Sequence, residues 1–502
     1  MENKFMSGLK TATNYAVTEN GALTHKTTES DLLDLFAMGA AYRTRSDEDV
    51  ILLFKNAFAE NPVYALKCLF YIRDVRGGQG ERRFFRVAMK WLATNHTDAA
   101  LRNLQHIPEF GRWDDLFIFL GTPVANAALD FIKHQLALDV QCKTPSLLAK
   151  WMPSENTSSA KTRKMAYVVR KYFGMTSKQY RKTLSVLRKR INVLERLMSE
   201  GRWDEIEFDK IPSKAGLKYK NAFARHDIER MKSDKVVQSY ADFAKDTTKT
   251  VNAKALYPYE VVDKAIKAWD LRLDSTDRLM VNKYWENLED YFNDASFNGL
   301  AVVDTSGSMT WSGGADKPIN VAISLGMYCA EHAKGPFAGH YVSFSRYPQL
   351  IKVDGVDFVD KVKRIYRTNL CENTNIEATF DMLLNTAISN NCSQSDLPEN
   401  IIIISDMEFD AGTGYYGNNR NYATTLMEQM REKWVRHGYR LPHLIYWNVQ
   451  ARQNNIPEDI GCGLVSYVSG MSPSIFNTIM SGKTGYDMMM DKLNSARYEV
   501  IG

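Results

Sequence analysis

Apolar residues along the first three hundred positions fall at three- and four-residue steps, as in Phe84, Val87 and Trp91. Asp49 to Ala59 and Pro62 to Ile72 are dense in Leu, Phe and Ala, and together these patterns predict helices from Glu29 to about Gly121. Breaks at Glu60-Asn61-Pro62, Gly77-Gly78-Gln79-Gly80, Asn95-His96 and Gly111 keep those helices short. Short helices punctuated this closely predict stacked helical hairpins. Asp274 to Asp294 reads as a long amphipathic helix carrying Leu279, Tyr284, Trp285, Leu288 and Tyr291. A boundary is placed just after it, near Ala295 to Asn298, giving a helical part over 1–295 and a second part over 296–502.

From Gly299 the pattern changes to alternating strands and helices. Strands are predicted at Leu300 to Val303, Ile401 to Ile404, Leu444 to Val449 and Leu464 to Val468, with a hairpin from Tyr341 to Phe344 and Gln349 to Val353. Helices are predicted at Lys317 to Ala333, Asn375 to Ser389 and Tyr422 to Arg436. Such alternation predicts a mostly parallel sheet covered by helices on both faces. The expected fold class is therefore α followed by α/β.

Ligands of such sheets sit beyond the carboxyl ends of the strands. The first strand ends in Asp304-Thr305-Ser306-Gly307-Ser308, which offers one carboxylate and two hydroxyls at alternate positions. A second strand end supplies Asp406 after Ile404-Ser405. Between them, Thr374 precedes a predicted helix, with Glu377 at the spacing of a capping box. Asp304, Ser306, Ser308, Thr374 and Asp406 are accordingly assigned to one metal ion, some directly and some through water. A hard-oxygen loop of low charge suits Mg2+, which takes about six oxygens and keeps several waters. An exposed coordination position is expected to take an Asp or Glu carboxylate from a protein partner.

Charge divides the chain as the pattern does. Residues 1–300 hold 47 Lys/Arg against 38 Asp/Glu, whereas residues 301–502 hold 17 against 21. The excess peaks at Lys161, Arg163, Lys164, Arg170, Lys171, Lys178, Arg181, Lys182, Arg188, Lys189 and Arg190, a stretch with no acid and with Tyr167, Tyr172, Phe173 and Tyr180 interleaved. A solvated helix face normally mixes signs. Uncompensated positive charge instead favours a polyanion, whose phosphates release counterions on binding, so these eleven residues are assigned to RNA. One or two of the rings are expected to remain for base stacking.

Arg76-Gly77-Gly78-Gln79-Gly80 lacks the Gly-Lys-Ser/Thr ending of a phosphate loop and reads as a turn between helices. Gly111-Arg112-Trp113-Asp114-Asp115 returns as Gly201-Arg202-Trp203-Asp204-Glu205, through internal repetition or a shared turn chemistry. No H-E-x-x-H, Walker loop or G-x-S-x-G occurs, and the expected protein is not an enzyme. Cys68, Cys142, Cys329, Cys371, Cys392 and Cys462 form no C-x-x-C pair and read as reduced packing residues. Met1 to Asn14 has no apolar signal core and no run of 18 apolar residues exists, so a cytoplasmic protein is expected, as a monomer.

The spacing D-x-S-x-S resembles the metal-ion-dependent adhesion site of von Willebrand factor A domains, and Ser405-Asp406-Met407-Glu408-Phe409-Asp410-Ala411-Gly412 is similar to the third metal-site loop of the Ro autoantigen. Arg73 to Arg82, Phe110 to Leu116 and Lys150 to Glu155 resemble a bacterial and viral family related distantly to Ro, in the TROVE-related group. The resemblance implies a HEAT-like helical ring closed by a Rossmann-like A domain. It also implies a non-catalytic ribonucleoprotein component that binds structured RNA or a single-stranded end. The other function compatible with the residues is a metal-dependent protein-interaction scaffold without RNA.

Overall fold

The computed structural model describes residues 13–232, 237–292, 297–310, 317–344, 347–368, 374–411, 425–458, 464–480 and 482–502. Several expectations lie outside them: most of the Met1 to Asn14 stretch, the boundary residue Ala295, Cys371, Cys462 and the first turn of the helix placed from Tyr422.

The helical part is built from short helices with local stops. Asn61 shows how one stop works: its amide bonds Ala57 O at 3.0 Å, closing the helix Asp47–Glu60, and its side-chain oxygen accepts from the Tyr64 amide at 3.2 Å, opening Pro62–Arg73. The glycine run is a turn between Pro62–Arg73 and Arg83–Asn95. A Cβ at Gly78 would meet the Tyr71 carbonyl oxygen at 2.1 Å, so packing excludes any larger residue there. Both Gly-Arg-Trp segments open a 3-10 turn at the tryptophan, and both arginines reach forward to an acid, Arg112 to Asp114 at 2.8 Å and Arg202 to Glu205 at 2.9 Å. The echo in sequence is thus an echo in turn structure.

One expected helix is shorter than its pattern. Thr276–Glu286 stops where the Asn287 side chain donates to Lys283 O at 2.8 Å, and the Tyr291 amide then donates to the Tyr328 hydroxyl at 2.9 Å. The apolar residues Leu288 and Tyr291 thus pack from a loop, which mimicked helical spacing.

The second part is a six-stranded sheet. After a two-stranded hairpin, β1 (Tyr15–Val17) and β2 (Leu23–His25), the sheet strands are β3 (Gly299–Asp304), β4 (His340–Phe344), β5 (Gln349–Lys352), β6 (Asn400–Ser405), β7 (His443–Asn448) and β8 (Val465–Ser469). Their order is β5-β4-β3-β6-β7-β8, with every pair parallel except β4 with β5. The chain runs outward from β3 to β4 and β5, then returns to the other side of β3 to lay down β6, β7 and β8. The topological switch point therefore lies between β3 and β6. The helix Pro318–His332 is buried from Pro318 through Ala330, between β3 and the helix Pro258–Ala268. Gly326 permits that approach, because a Cβ there would stand 2.4 Å from Val303 Cγ2.

Each half reaches into the other. His25 pairs with Ile456 as an antiparallel bridge, and the helix Asp31–Met38 packs on β8. Conversely, Arg497 and the Tyr498 hydroxyl donate to the buried Asp74 carboxylate at 2.7 and 3.0 Å. No helix among the described residues is long and apolar enough to cross a membrane.

His443, at the start of β7, spans its two neighbour strands. Its Nδ1 lies 3.0 Å from Asn400 Oδ1 and its Nε2 2.9 Å from Ser466 Oγ. Burial pushes its pKa down to about 4, so the folded state holds fewer protons than the unfolded chain as pH falls below the ordinary value of 6.5. Stability tied to neutral His443 is fully present above about 6.5 and is lost as pH falls toward about 4. Each tenfold weakening of proton affinity on folding corresponds to at most about 1.4 kcal/mol of that loss. In denaturant titrations across that window, His443→Gln should flatten the acid loss of stability relative to the parent.

Candidate metal centre

The switch point places Asp304, the last residue of β3, beside the end of β6. Ser405 Oγ, at that end, donates to Asp304 Oδ2 at 2.6 Å, and the Ser306 amide donates to Asp304 Oδ1 at 2.9 Å. The Ser306 and Ser308 hydroxyl oxygens are 3.0 Å apart, and the Ser308 hydroxyl also bonds Asp406. Four of the five sequence-assigned residues, Asp304, Ser306, Ser308 and Asp406, thus form one connected cluster. Burial first, and then the neighbouring Asp406, hold the Asp304 carboxyl above its usual range. Burial also raises Asp406, against the opposing pull of Arg452.

Thr374 joins the cluster indirectly. Asn375, not Thr374, caps the helix Ile376–Ser389 by accepting from the Ala378 amide at 2.9 Å, so the capping-box spacing with Glu377 is not used. The Thr374 hydroxyl instead accepts from Asn20 Nδ2 at 3.2 Å, and the Asp410 amide donates to Thr374 O at 3.0 Å. Asn20 Nδ2 also donates to Glu408 O at 2.6 Å, tying Thr374 to the loop that carries Asp406.

That loop is strained. Met407 has φ 64°, a left-handed conformation that costs a non-glycine residue about 1–3 kcal/mol. The kink turns Glu408 inward, fully buried, with burial pushing its carboxyl up to about 7. Glu408 Oε2 accepts from the Glu19 amide at 2.8 Å, while Oε1 has no hydrogen-bond donor among the described residues. Thr305 Oγ1 is buried and unpaired likewise among them. Sequence reasoning missed Asn20, Glu19, Glu408 and Arg452, of which only Glu408 lay in a segment singled out for the site.

The donor set is all oxygen, two carboxylates and three hydroxyls, which is the chemistry of a hard divalent cation rather than of zinc. Among the described residues no three His, Cys, Asp or Glu side chains gather as a metal site. Any cation here is consequently held by few charges, with Arg452 competing for Asp406 at 3.0 Å.

The basic stretch folds as two helices, Ala160–Tyr172 and Ser177–Arg190. Lys161, Lys164 and Lys171 share one face of the first, and Lys178, Arg181, Lys182 and Lys189 share one face of the second, all exposed. The remaining arginines bond the fold, Arg170 and Arg188 from half-buried positions and Arg163 and Arg190 at the exposed surface. Arg163 donates to Ser158 O at 2.8 Å, Arg170 to Glu155 at 2.7 Å, Arg188 to Ala149 O at 2.8 Å and Arg190 to Val140 O at 2.7 Å. Of the four rings, Tyr180 is core and donates to Pro153 O at 2.7 Å, Phe173 is buried, Tyr172 bonds Asp130, and Tyr167 alone is exposed.

Two neighbouring cavities have basic residues in their walls, and the larger adjoins the helix Ser177–Arg190. One of 1260 Å3 is walled by Arg181 and Arg188 together with Lys150, Trp151, Arg196 and Lys218, and Arg112 lies over the Trp151 ring at 4.0 Å. The other, of 510 Å3, lies between the two halves and is walled by eight Lys/Arg residues and a single acid, Glu81. Arg112, Lys214 and Ala255 line both. Within the second, burial and the nearby guanidinium groups of Arg112 and Arg86 pull Arg82 below its usual range.

Comparison with known proteins finds two family models and a viral relative. Residues 18–145 and 146–296 match a Domain of unknown function (DUF2828), and residues 298–499 match another Domain of unknown function (DUF7788). The chain is 30% identical over 519 residues to the uncharacterized protein L728 of Acanthamoeba polyphaga mimivirus, an alignment covering 95% of this chain and 86% of the relative. With the first of these models spanning more than half its length, and a viral relative aligned almost end to end, the chain belongs to the DUF2828 family.

Proposed function

We propose that the protein binds RNA without acting on it chemically, as a Ro-like ribonucleoprotein component located in the cytoplasm. Its helical part is a HEAT-like platform for RNA, and its sheet is a von Willebrand factor A-like domain with a Mg2+ site. The observation that carries this reading is the pair of neighbouring cavities that share Arg112 and Lys214, the larger lined by seven Lys/Arg, including Arg181 and Arg188 of the helix Ser177–Arg190, against Glu155, Glu195 and Glu200, and the smaller by eight against Glu81. A volume of 1260 Å3 exceeds the few hundred to about 1,000 Å3 of a small-molecule pocket. Repeated cations along such a space match a repeating anion, and each phosphate neutralised contributes affinity by counterion release. Trp151, in the wall of the larger cavity, carries the Arg112 guanidinium over its ring, an aromatic and a cation together of the kind that holds single strands.

The metal site plays a separate part in this reading. Bound Mg2+ would add positive charge to the buried pair Asp304 and Asp406, of which Asp406 already meets Arg452. Asp304 and Asp406 hold it from the ends of β3 and β6, and Ser306, Ser308 and Thr374 add neutral hydroxyl oxygens. No group among them is offered as a nucleophile or base.

Two measurements test the reading. Arg181→Glu combined with Lys182→Glu should weaken RNA binding in gel shifts and reduce the slope of log affinity against log salt by about two. If that variant held RNA as tightly as the parent at about 150 mM salt, where exposed charges are screened beyond about 8 Å, the two helices would not be the RNA surface. Asp304→Ala should abolish Mg2+ binding in calorimetry and leave RNA affinity unchanged. A protein that purifies free of nucleic acid, with pull-downs that depend on magnesium, would replace this reading with the interaction scaffold.

A further inference from the structure

The turn that joins β1 to β2 lies on the candidate metal centre. Thr18 Oγ1 donates to Phe409 O at 2.7 Å, the Ala411 amide donates to Asn20 O at 3.1 Å, and Gly21 forms an antiparallel bridge with Asp410. These contacts run the turn along the loop after β6, so its side chains arrive at the site oxygens. Asn20 bonds the Thr374 hydroxyl at 3.2 Å. Glu19 pairs with Arg452 at 2.6 Å, and the same guanidinium holds Asp406 at 3.0 Å.

A carboxylate from a distant part of the chain is therefore held one guanidinium away from Asp406. Asp304, Ser306, Thr374 and Asp406 are at most 3% exposed with the turn in place. Ser308 is half-exposed, while the turn lies over Thr374 and the loop that carries Asp406 through Asn20 and Glu19. Among the described residues, Asp406 and Glu19 share one guanidinium, that of Arg452, and Asp304 has none.

We propose that the Thr18–Ala22 turn is the resident occupant of this site's open face, with Glu19 as the carboxylate that completes the donor set when a divalent cation is bound. The site then clasps the chain's own N-terminal hairpin instead of another protein. This rests on the magnesium reading above, and it replaces the partner carboxylate of that reading with one supplied in cis.

The test uses the full chain, Mg2+ alone as probe, calorimetry and amide hydrogen exchange. The Glu19 side chain is 39% exposed, so Glu19→Gln is expected to fold as the parent does. It should weaken Mg2+ binding about tenfold, the order of loss found when a supporting group of a metal site is removed. Magnesium should slow exchange across residues 18–22 in the parent and not in Glu19→Gln. Because removing Glu19 also frees Arg452 to compete for Asp406, the same substitution is repeated on Arg452→Gln. A ligand role predicts the same tenfold loss there, whereas an effect through Arg452 alone predicts none and overturns the proposal. Unchanged affinity and exchange in Glu19→Gln overturn it too, while leaving the metal site standing. A parent that binds no Mg2+ overturns both.

Discussion

The Asp74 carboxyl group has no solvent contact, and donors from both ends of the chain gather on it. Its carboxylate accepts from Arg497, from the Tyr498 hydroxyl and from its own neighbour, the Arg76 amide. Burying a carboxylate without such donors costs several kcal/mol, so the helical half is not satisfied until residues from the far end of the chain dock on it. Next to it, Arg73 and Asp115 form a second buried pair at 2.8 Å. The Asp74 contacts to Arg497 and Tyr498 tie the halves together, and the 510 Å3 basic cavity lies where residues of both line one space.

The same logic explains the strand ends. A parallel sheet with a switch point leaves a crevice between β3 and β6, and chain direction puts the residue after each strand at its mouth. Two acids there repel, which is unfavourable unless a cation or a guanidinium stands between them and solvent. Arg452 answers that demand for Asp406, and Ser405 and the Ser306 amide answer it for Asp304. The arrangement holds the loop in its strained Met407 conformation, which in turn offers main-chain partners to the N-terminal turn.

Much of this was readable from residue order. The run Ile401 to Ile404 could only be a buried strand, and an acid directly beyond such a strand is positioned by topology without further information. Thr374 was legible as a hydroxyl at a helix start but not as one left out of the cap, because two adjacent residues competed for the cap and Asn375 took it. The roles of Arg163, Arg170, Arg188 and Arg190 were hidden for a different reason. Their partners, such as Ala149 O and Val140 O, are set by tertiary packing, and in sequence a guanidinium closing a carbonyl looks the same as one facing solvent. The N-terminal hairpin was least legible of all. Three-residue strands give too little alternation to register, and their partners lie near Asp410 and Ile456.

That separation has a consequence for how the molecule is made. Thr18 and Phe409 stand 391 positions apart, so the hairpin leaves the ribosome long before the loop it binds. At roughly 5–20 residues per second of synthesis, it waits on the order of 20–80 s with its edge unpaired. The helical segments between can form as they emerge, since their contacts are local, but the sheet cannot be sealed until translation is nearly finished. Nascent chains of this protein therefore carry an open strand edge for most of their synthesis, and the last fifth of the polypeptide decides when that exposure ends.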